Sequence, residues 1–267
     1  MTREMAINYG VIGGTGVYNP QILTNIEELT VETPYGEIPV KVGVLSGKKV
    51  AFLARHGQGH AIPPHKINYR GNIMALKQLG VKKILATQAV GSLRKTMAPG
   101  HLVLLDQFID FTKGRIQTFY EGGEAGVLHV DMTQPYCPNL REEILALCSR
   151  DNTIHKQGTY VCTEGPRFET PAEIKMFVNW GGDLVGMTSV PEVVLARELG
   201  MCYVGIAMVT NYAAGISEAN LTHQEVVETM ANNVSKLQSL IMDVIASLDE
   251  KQDCQCYLAN QEAGSLG

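Results

Sequence analysis

Phe168 and Glu169 place an aromatic ring and a carboxylate side by side in one short turn of the chain. They end the segment Glu164–Glu169, which follows an apolar, strand-like run over Gly158–Thr163 and precedes a predicted helix over Pro171–Trp180. Turns between a strand and a helix form the ligand crevice of open α/β sheets. A ring that stacks on a sugar or a planar group, beside an acid that accepts N–H bonds, would suit a nucleoside.

A second group of residues is suited to binding an anion. The glycine-rich turn Gly13–Gly16 follows a predicted strand, and its backbone N–H groups together with the Thr15 hydroxyl would cradle an oxyanion. Arg55 and His56 follow another strand, and a guanidinium offers a bidentate fork to phosphate. Thr188 directly precedes a predicted helix, whose N-terminus also favours an anion. Taken separately, a plain tight turn and ordinary surface or capping residues are the alternatives. Because all three sites lie at strand C-terminal ends, the set favours one phosphate-binding site.

Two glycine-containing stretches do not fit the standard nucleotide-binding motifs. A dinucleotide fingerprint starting at Gly14 would need a glycine where Asn19 stands. The segment Gly43–Lys49 has too short a spacer for a P-loop and lacks Ser or Thr after Lys48, so it predicts a hairpin turn. The sequence contains no nucleophile elbow and no cluster of metal ligands. We therefore expect no covalent catalysis, no metal and no cofactor.

Asn211 comes just after an apolar run, Val204–Val209, which predicts a buried strand in the middle of a sheet. A buried amide must find hydrogen-bond partners, and an amide that both donates and accepts can span N7 and O6 of a 6-oxopurine. An asparagine that only holds a turn is the alternative. His223 is predicted in the first turn of the last helix, whose positive end keeps the imidazole neutral and able to bind a hydroxyl. An exposed histidine at a helix start is equally consistent with the pattern.

The elements that position these residues alternate between strand-like and helix-like patterns, which predicts an α/β fold. Other strands are expected at Ile7–Gly13, Lys49–Leu53, Lys83–Thr87 (before a turn at Gln88–Ser92), His101–Leu105 and Asp183–Met187, and helices at His65–Leu79 and Asn139–Cys148. Three capping boxes are expected, formed by Thr170 with Glu173, Ser189 with Glu192 and Thr222 with Glu225. The expected architecture is a single domain over residues 1–250, with a mixed central sheet flanked by helices.

The composition restricts the classes of partner. The chain has 267 residues, a formal net charge of −5 and no basic run, which argues against binding to nucleic acid. Its longest apolar stretch, Leu199–Val209, is far below the roughly 18 residues that span a bilayer. The N-terminus lacks the charged-then-apolar order of a signal peptide. We therefore expect a cytoplasmic protein with no membrane partner.

The six cysteines fall into two groups. Four are isolated in or beside apolar stretches and are expected to be buried, reduced thiols: Cys137, Cys148, Cys162 and Cys202. Cys254 and Cys256 form a C-x-C pair in a polar C-terminal tail, residues 251–267. Two ligands are too few for a structural zinc site. The favoured interpretation is therefore a reduced, mobile tail, and a strained local disulfide is the alternative.

Together these stretches closely resemble the trimeric purine nucleoside phosphorylase and methylthioadenosine phosphorylase family. The resemblance extends over nearly the whole chain and rests on motifs that occur in order, namely Val11–Val17, Ala54–Gly57, Pro64–Tyr69, Ala89–Leu93, Asp106–Asp110, Glu164–Phe168 and Met187–Val193. It implies a single α/β domain, assembly as a homotrimer, and phosphorolysis. In that reaction inorganic phosphate is a co-substrate that cleaves the N-glycosidic bond and releases a free base and a sugar 1-phosphate.

The resemblance also implies roles for individual residues. The residues similar to the family's phosphate shell are Thr15, Arg55, His56, Ala89 and Thr188. Phe168 and Met187 resemble the residues that pack on base and ribose, and His129 resembles the residue that a neighbouring subunit contributes to the 5′ side of the sugar. Gln88 differs from the small polar residue usual before Ala89, so its effect on the phosphate site stays open.

Three positions bear on substrate choice, and all three resemble the enzymes that act on inosine and guanosine. In that reading Glu169 accepts the N1–H of the base, Asn211 binds N7 and O6, and His223 holds the 5′-hydroxyl. The catalytic residues would then be Asn211, His56 and Glu169. Much of the remaining chain is similar to the methylthioadenosine branch, so phosphorolysis of S-methyl-5′-thioinosine or S-methyl-5′-thioadenosine is the alternative. A non-catalytic nucleoside-binding protein is the second alternative.

Overall fold

The computed structural model describes residues 6–14, 22–217, 223–251 and 253–260. In these ranges eleven strands form one mixed sheet with the order β2-β3-β4-β1-β5-β10-β9-β7, and β11 pairs with β5 and β6 while β6 also pairs with β8. The strands are β1 Tyr9–Gly13, β2 Thr24–Thr33, β3 Gly36–Leu45, β4 Lys48–Ala54, β5 Lys83–Ser92, β6 Leu102–Leu104, β7 Gln107–Phe111, β8 Ile154–His155, β9 Thr159–Thr163, β10 Leu184–Gly186 and β11 Cys202–Tyr212. The turn between β3 and β4 confirms the predicted hairpin at Gly43–Lys49.

Helices cover both faces of this sheet. The α-helices in the described ranges are α1 Tyr69–Gln78, α2 Pro138–Leu147, α3 Pro171–Asn179, α4 Ser189–Glu198 and α5 His223–Ser247. Short 3₁₀ helices occur at Gln58–His60, Pro64–Lys66, Gly123–Ala125 and Gln255–Leu258. None of the helices in this part of the chain combines the length and the apolar character needed to cross a membrane.

The central strands send alternate side chains into two different apolar layers. In β1, Val11 packs in the layer that contains Ile241 of α5, whereas the next residue, Ile12, packs in the layer that contains Leu76 of α1. This alternation follows from the two-residue period of a strand. A central strand with helices on both sides must be apolar at every position, which is why these strands read as continuous apolar runs. The predicted mixed sheet flanked by helices is confirmed.

β5 is longer than the sequence predicts, because the expected turn at Gln88–Ser92 continues the strand. β11 runs parallel beside it as far as the pair Tyr212 and Ser92, and β10 pairs antiparallel with its last residues. Backbone hydrogen bonds on both sides therefore override a turn-like composition. Gly91 suits this crowded position, since a Cβ atom there would lie 3.2 Å from Asn211 Nδ2 and from Val185 Cγ1.

The first helix begins later than predicted. α1 starts at Tyr69, and the preceding Asn68 caps it by accepting a hydrogen bond from the Gly71 N–H at 3.0 Å. His65 lies in the separate 3₁₀ turn Pro64–Lys66. The predicted start at His65 is therefore wrong, because the asparagine cap sets the boundary four residues further along the chain.

The predicted capping boxes have different outcomes. The one at α3 is confirmed, because Thr170 Oγ1 accepts from the Glu173 N–H at 3.2 Å and the Glu173 carboxylate accepts from the Thr170 N–H at 2.7 Å. The one between Ser189 and Glu192 is wrong, because the backbone at the start of α4 is not helical and the Glu192 side chain turns into the core. The third begins at Thr222, which lies outside the described residues.

The C-terminal segment also differs from the prediction. Residues 253–260 pack against the body of the chain, and the Cys254 and Cys256 side chains are buried in an apolar layer. The Asn139 amide donates to the Asp253 carbonyl oxygen at 3.3 Å. The predicted mobile tail is therefore wrong for this stretch, because apolar and hydrogen-bond contacts hold it.

Candidate active site

Four neighbouring strands place candidate residues along one edge of the sheet. β4, β1, β5 and β11 are adjacent and parallel, so their carboxyl ends face the same side. Arg55 and His56 follow β4, Gly14 follows β1, Ala89 lies in β5, and Asn211 lies near the end of β11. Three spacings of about 4.8 Å between strands separate the first of these ends from the last, or about 14 Å. An edge of this width can hold two small ligands side by side.

A cavity of about 350 Å³ opens at this edge. The turns after β9 and β10 form another of its walls, and they carry the predicted ring, carboxylate and hydroxyl. The predicted site residues that line the cavity are Arg55, His56, Ala89, Phe168, Glu169, Met187, Thr188 and Asn211. The structure thus brings the predicted anion-binding and base-binding groups into one space.

Three other predicted residues are not placed in the cavity by the structure. Thr15 lies outside the described residues, although its neighbour Gly14 lines the cavity. His223 is the first residue of α5, where only its backbone is described, and Val226, one turn later, lines the cavity. His129 is exposed and does not line the cavity of its own chain.

Gly14 is packed too closely for any side chain. A Cβ atom at this position would lie 2.3 Å from the Thr87 carbonyl oxygen and 2.9 Å from Arg55 Nη1. Its backbone N–H donates to Thr87 Oγ1 at 2.8 Å. The glycine is therefore required for the chain after β1 to approach Arg55 this closely.

Arg55 is buried and paired with Glu192. Its Nε and Nη2 atoms donate to the two carboxylate oxygens at 2.8 and 2.6 Å, and Nη1 donates to the Thr87 carbonyl oxygen at 2.6 Å. Burial by itself would lower the pKa of Arg55, but the charge and hydrogen bonds of Glu192 raise it above its ordinary value. The sequence predicted a bidentate fork for phosphate. Glu192 occupies that edge, so an anion would meet the remaining N–H groups of the terminal nitrogens.

Glu192 is a site residue that the sequence did not reveal. The Tyr203 hydroxyl donates to Glu192 Oε1 at 2.6 Å, and Gln88 Nε2 donates to the Tyr203 oxygen at 3.2 Å. Because the tyrosine hydrogen is directed to Glu192, the Gln88 amide must present its nitrogen to Tyr203. Gln88 Oε1 is then left without a hydrogen-bond partner among the described residues. An acid within the apolar run Val190–Leu195 was the signal that could have identified Glu192.

His56 is buried and held in its neutral form. Its Nδ1 atom lies 2.9 Å from the Ile62 carbonyl oxygen, which can only accept, so Nδ1 carries the hydrogen and Nε2 is an acceptor. Burial, helped by the positive charge of Arg55, lowers the pKa of His56 to about 4. The His60 ring stacks on it with 4.2 Å between centroids. A neutral imidazole can accept a hydrogen bond from a protonated phosphate oxygen.

Asn211 is positioned by an irregularity in β11. The pairing with β5 shifts between Val209 and Asn211, so that Thr210 is an extra residue of the kind found in a β-bulge. Asn211 Nδ2 donates to the Tyr212 carbonyl oxygen at 2.9 Å, and Oδ1 accepts from the Thr210 hydroxyl at 2.7 Å. These contacts fix the orientation of the amide, and each end keeps one further hydrogen-bonding position for a ligand.

Glu169 and Phe168 form the turn side of the cavity. Glu169 is half-buried, and the Thr163 hydroxyl donates to its Oε1 at 2.7 Å. Burial raises the pKa of Glu169, although the bond from Thr163 acts in the opposite direction. The Phe168 ring is 42% exposed and lines the cavity. An acceptor beside an uncovered ring suits a planar heterocycle that carries an N–H group.

Arg115 is a second residue that sequence reasoning missed, and it holds these turns together. Its guanidinium donates to the carbonyl oxygens of Met187 and Val190, each at 2.7 Å, and to those of Thr163 and Glu164 at 3.1 and 2.8 Å. It thereby joins the turn after β9 to the turn after β10. No motif surrounds Arg115 in the sequence, so this role could be found only from the structure.

Comparison with known proteins places this site in a family. A family model for the phosphorylase superfamily matches residues 8–246. A protein of Dictyoglomus turgidum named probable 6-oxopurine nucleoside phosphorylase is 57% identical over 259 residues, covering 96% of this chain and 98% of that protein. An S-methyl-5′-thioadenosine phosphorylase of Thermofilum pendens is 50% identical over 264 residues, covering 96% and 98%.

Comparison with solved structures identifies the same family. The structure of methylthioadenosine phosphorylase from Schistosoma mansoni in complex with adenine matches with a TM-score of 0.89 at 34% identity, and 96% of each chain is covered. The family match runs from before β1 almost to the end of α5, so it includes every strand whose end lines the cavity. The chain therefore belongs to the phosphorylase superfamily, in the family of purine nucleoside and methylthioadenosine phosphorylases.

Proposed function

We propose that this chain catalyses the phosphorolysis of 6-oxopurine nucleosides such as inosine and guanosine. Inorganic phosphate attacks C1′ while the N-glycosidic bond breaks, and the products are the free base and ribose 1-phosphate. The observation that carries the proposal is that Glu169 and Asn211 line the same cavity as Arg55 and His56. A base site that opens onto an anion site is the arrangement that this reaction requires.

Recognition of the base rests on complementary hydrogen bonds. We assign Glu169 to the N1–H group, Asn211 Nδ2 to O6, and Asn211 Oδ1 to the hydrogen that N7 gains as the base leaves, with Phe168 stacked on the ring. In the overall balance this proton is the one that the attacking hydrogen phosphate loses as it becomes part of ribose 1-phosphate. Electron density on the purine grows in the transition state, so the contact with Asn211 is stronger there than in the ground state. Such differential binding accelerates the chemical step.

The phosphate side of the proposal uses Thr15, Arg55, His56, Thr188 and the backbone at Ala89. Glu192 balances the charge of Arg55, so bound phosphate keeps most of its own negative charge. That charge stabilises the oxocarbenium character that develops on the ribose, and the fixed position of phosphate avoids the entropic cost of a bimolecular encounter. The neutral His56 accepts a hydrogen bond from a protonated phosphate oxygen. Phosphate is a co-substrate in the proposed reaction, which uses no cofactor.

The name of the Thermofilum pendens relative favours 5′-methylthio nucleosides as a second candidate class of substrate. We assign His223 to the 5′-hydroxyl, and one net hydrogen bond of about 1 kcal/mol gives only about a fivefold to tenfold preference. An adenine base would bring an amino group and an unprotonated N1 to Asn211 and Glu169. A site built on hydrogen bonds rejects such a mismatch by about 10⁴ or more. S-methyl-5′-thioinosine is therefore a stronger second candidate than S-methyl-5′-thioadenosine.

The proposal includes a homotrimer in which His129 of each subunit reaches the 5′ side of the sugar in a neighbouring cavity. The family resemblance supports this assembly, and so does the exposed position of His129 outside its own cavity. Light scattering that found a monomeric active species would contradict it. The physiological setting that we propose is purine salvage in the cytoplasm.

One set of assays tests the proposed function. We expect phosphate-dependent release of hypoxanthine from inosine, with a kcat/KM for inosine that exceeds that for adenosine and S-methyl-5′-thioadenosine by about 10⁴. Inosine and S-methyl-5′-thioinosine should differ by about tenfold or less. A preference for S-methyl-5′-thioadenosine would reject the assigned base contacts. Equal turnover without phosphate would indicate hydrolysis, and absence of any turnover would leave only nucleoside binding.

A further inference from the structure

Four cysteines from three separate parts of the chain meet at one point on the side of the sheet covered by α2 and α5. Their sulfur atoms all lie within 4.8 Å of one another, and all four side chains are buried: Cys137, Cys202, Cys254 and Cys256. The Cys202 and Cys254 sulfurs are 3.1 Å apart. The C-x-C pair, which by itself offers two ligands, therefore completes a set of four.

The arrangement has the size of a tetrahedral thiolate site. Zn²⁺ binds sulfur at about 2.3 Å, so two sulfurs of a regular tetrahedron around it lie about 3.8 Å apart. The Cys202–Cys254 separation of 3.1 Å and the upper limit of 4.8 Å on all the separations bracket this value. Opening the Cys202–Cys254 pair by about 0.7 Å would bring it to the tetrahedral spacing.

The N-terminus of α2 faces the cluster. Cys137 is the N-cap of α2, and its sulfur accepts from the Leu140 N–H at 3.5 Å, so the positive end of a ten-residue helix faces the cluster. Outer donors of this kind orient metal ligands and disperse the negative charge of four thiolates around one divalent ion.

We propose that these four cysteines bind one structural Zn²⁺ ion. Because all four sulfurs lie within 4.8 Å of one another, the group converges on one centre rather than dividing into two isolated pairs. Four sulfur ligands with tetrahedral geometry select zinc or iron, and zinc is the choice for a closed structural site with no redox task. No water or substrate position is left open, so the ion would take no part in phosphorolysis.

The ion would fasten the end of the chain to the sheet. Cys254 directly precedes the 3₁₀ helix Gln255–Leu258 and Cys256 lies within it, whereas Cys202 is the first residue of β11 and Cys137 is the N-cap of α2. Gly200 leaves room for this docking, since a Cβ atom there would lie 3.2 Å from Tyr257 Cα. The same segment follows the C-terminal end of α5.

Metal analysis of the full chain, freed of any affinity tag, tests the proposal. We expect one Zn²⁺ per chain by elemental mass spectrometry, and X-ray absorption that shows four sulfur ligands at about 2.3 Å. Removing zinc with a chelator and adding Co²⁺ should produce the visible bands of tetrahedral cobalt thiolate. Cys254→Ser and Cys256→Ser should each lower the zinc content about tenfold or more and lower Tm. Cys148→Ser, which changes a thiol outside the cluster, should leave both unchanged.

Several results would overturn the zinc site. Intact-mass analysis under non-reducing conditions that found two disulfide bonds among the four cysteines would do so. Four freely alkylated thiols in a chain without metal, or iron in place of zinc, would also contradict it. If both serine variants failed to fold, the zinc content, X-ray absorption and cobalt spectrum of the unaltered chain would still show whether the four cysteines bind zinc. These readouts do not involve nucleosides, so they test the zinc site independently of the proposed phosphorolysis.

Discussion

Replacing Glu192 with glutamine tests whether the buried ion pair organises the anion side of the cavity. The Arg55 and Glu192 side chains are both 0% exposed. The carboxylate accepts two hydrogen bonds from Arg55 and one from Tyr203. In Glu192→Gln, one oxygen becomes an NH₂ group that faces an N–H or O–H donor, and the guanidinium charge loses its buried counterion.

The size of the effect follows from this geometry. Removing one partner of a buried ion pair costs about 3–5 kcal/mol. In a domain somewhat smaller than this chain, each 1 kcal/mol shifts Tm by about 2–4 °C. We therefore expect Glu192→Gln to unfold about 10 °C below the unaltered protein. Because Arg55 would then lack its counterion, added phosphate should raise the Tm of the variant more than that of the unaltered protein.

Thermal unfolding followed by circular dichroism, with and without phosphate, measures both effects. The matched control is Glu198→Gln, because Glu198 is also buried but accepts from the Phe119 backbone N–H at 2.9 Å. A glutamine oxygen can keep that bond, so the control should cost only about 1 kcal/mol. Equal Tm values for the two variants, or a smaller phosphate effect in Glu192→Gln, would refute this account of the ion pair.

Three further predictions concern the base and phosphate groups. Asn211→Ala should lower kcat for inosine by about 10²–10³, and a change confined to KM would contradict its proposed role in the transition state. Thr163→Val removes the donor to Glu169 Oε1 and should raise KM for inosine about tenfold while KM for phosphate stays constant; a rise in both would indicate general disruption. His56 has a pKa of about 4 in the folded chain and about 6.5 when unfolded, so stability should fall by about 3 kcal/mol as the pH drops from about 6.5 to 4. His56→Gln should remove this part of the pH dependence in urea unfolding, whereas the exposed His65→Gln should retain it.

The fold could be predicted where apolar residues recur with a clear period, and it could not where pairing overrides composition. The buried strand β11 and the long helix α5 carry continuous or helically spaced apolar residues, so both were identified. β2 was missed because most of its side chains are exposed and show no apolar alternation. β5 was cut short because Gln88–Ser92 reads as a turn, while hydrogen bonds to β11 and β10 keep it extended.

The site could be predicted where residues follow parallel strands, because the ends of such strands meet at one edge. Contacts between residues that are distant in the sequence could not be predicted. Arg55 and Glu192 are 137 positions apart, and Glu192 had a plausible local role as a helix cap. Cys254 and Cys256 were likewise judged as a pair, because their partners Cys137 and Cys202 precede them by more than 50 residues.

Gln88 is hydrogen-bonded through Tyr203 to Glu192, and this chain of contacts affects the anion site without adding charge. Gln88 lines the cavity, and because its nitrogen is bound to Tyr203, its buried Oε1 is left without a hydrogen-bond partner among the described residues. An acceptor repels an unprotonated phosphate oxygen, whereas a hydroxyl can donate to it. Gln88→Thr should therefore lower KM for phosphate about fivefold, which corresponds to about 1 kcal/mol, with little change in KM for inosine. An unchanged or higher KM for phosphate in steady-state assays would mean that Oε1 does not face the bound anion.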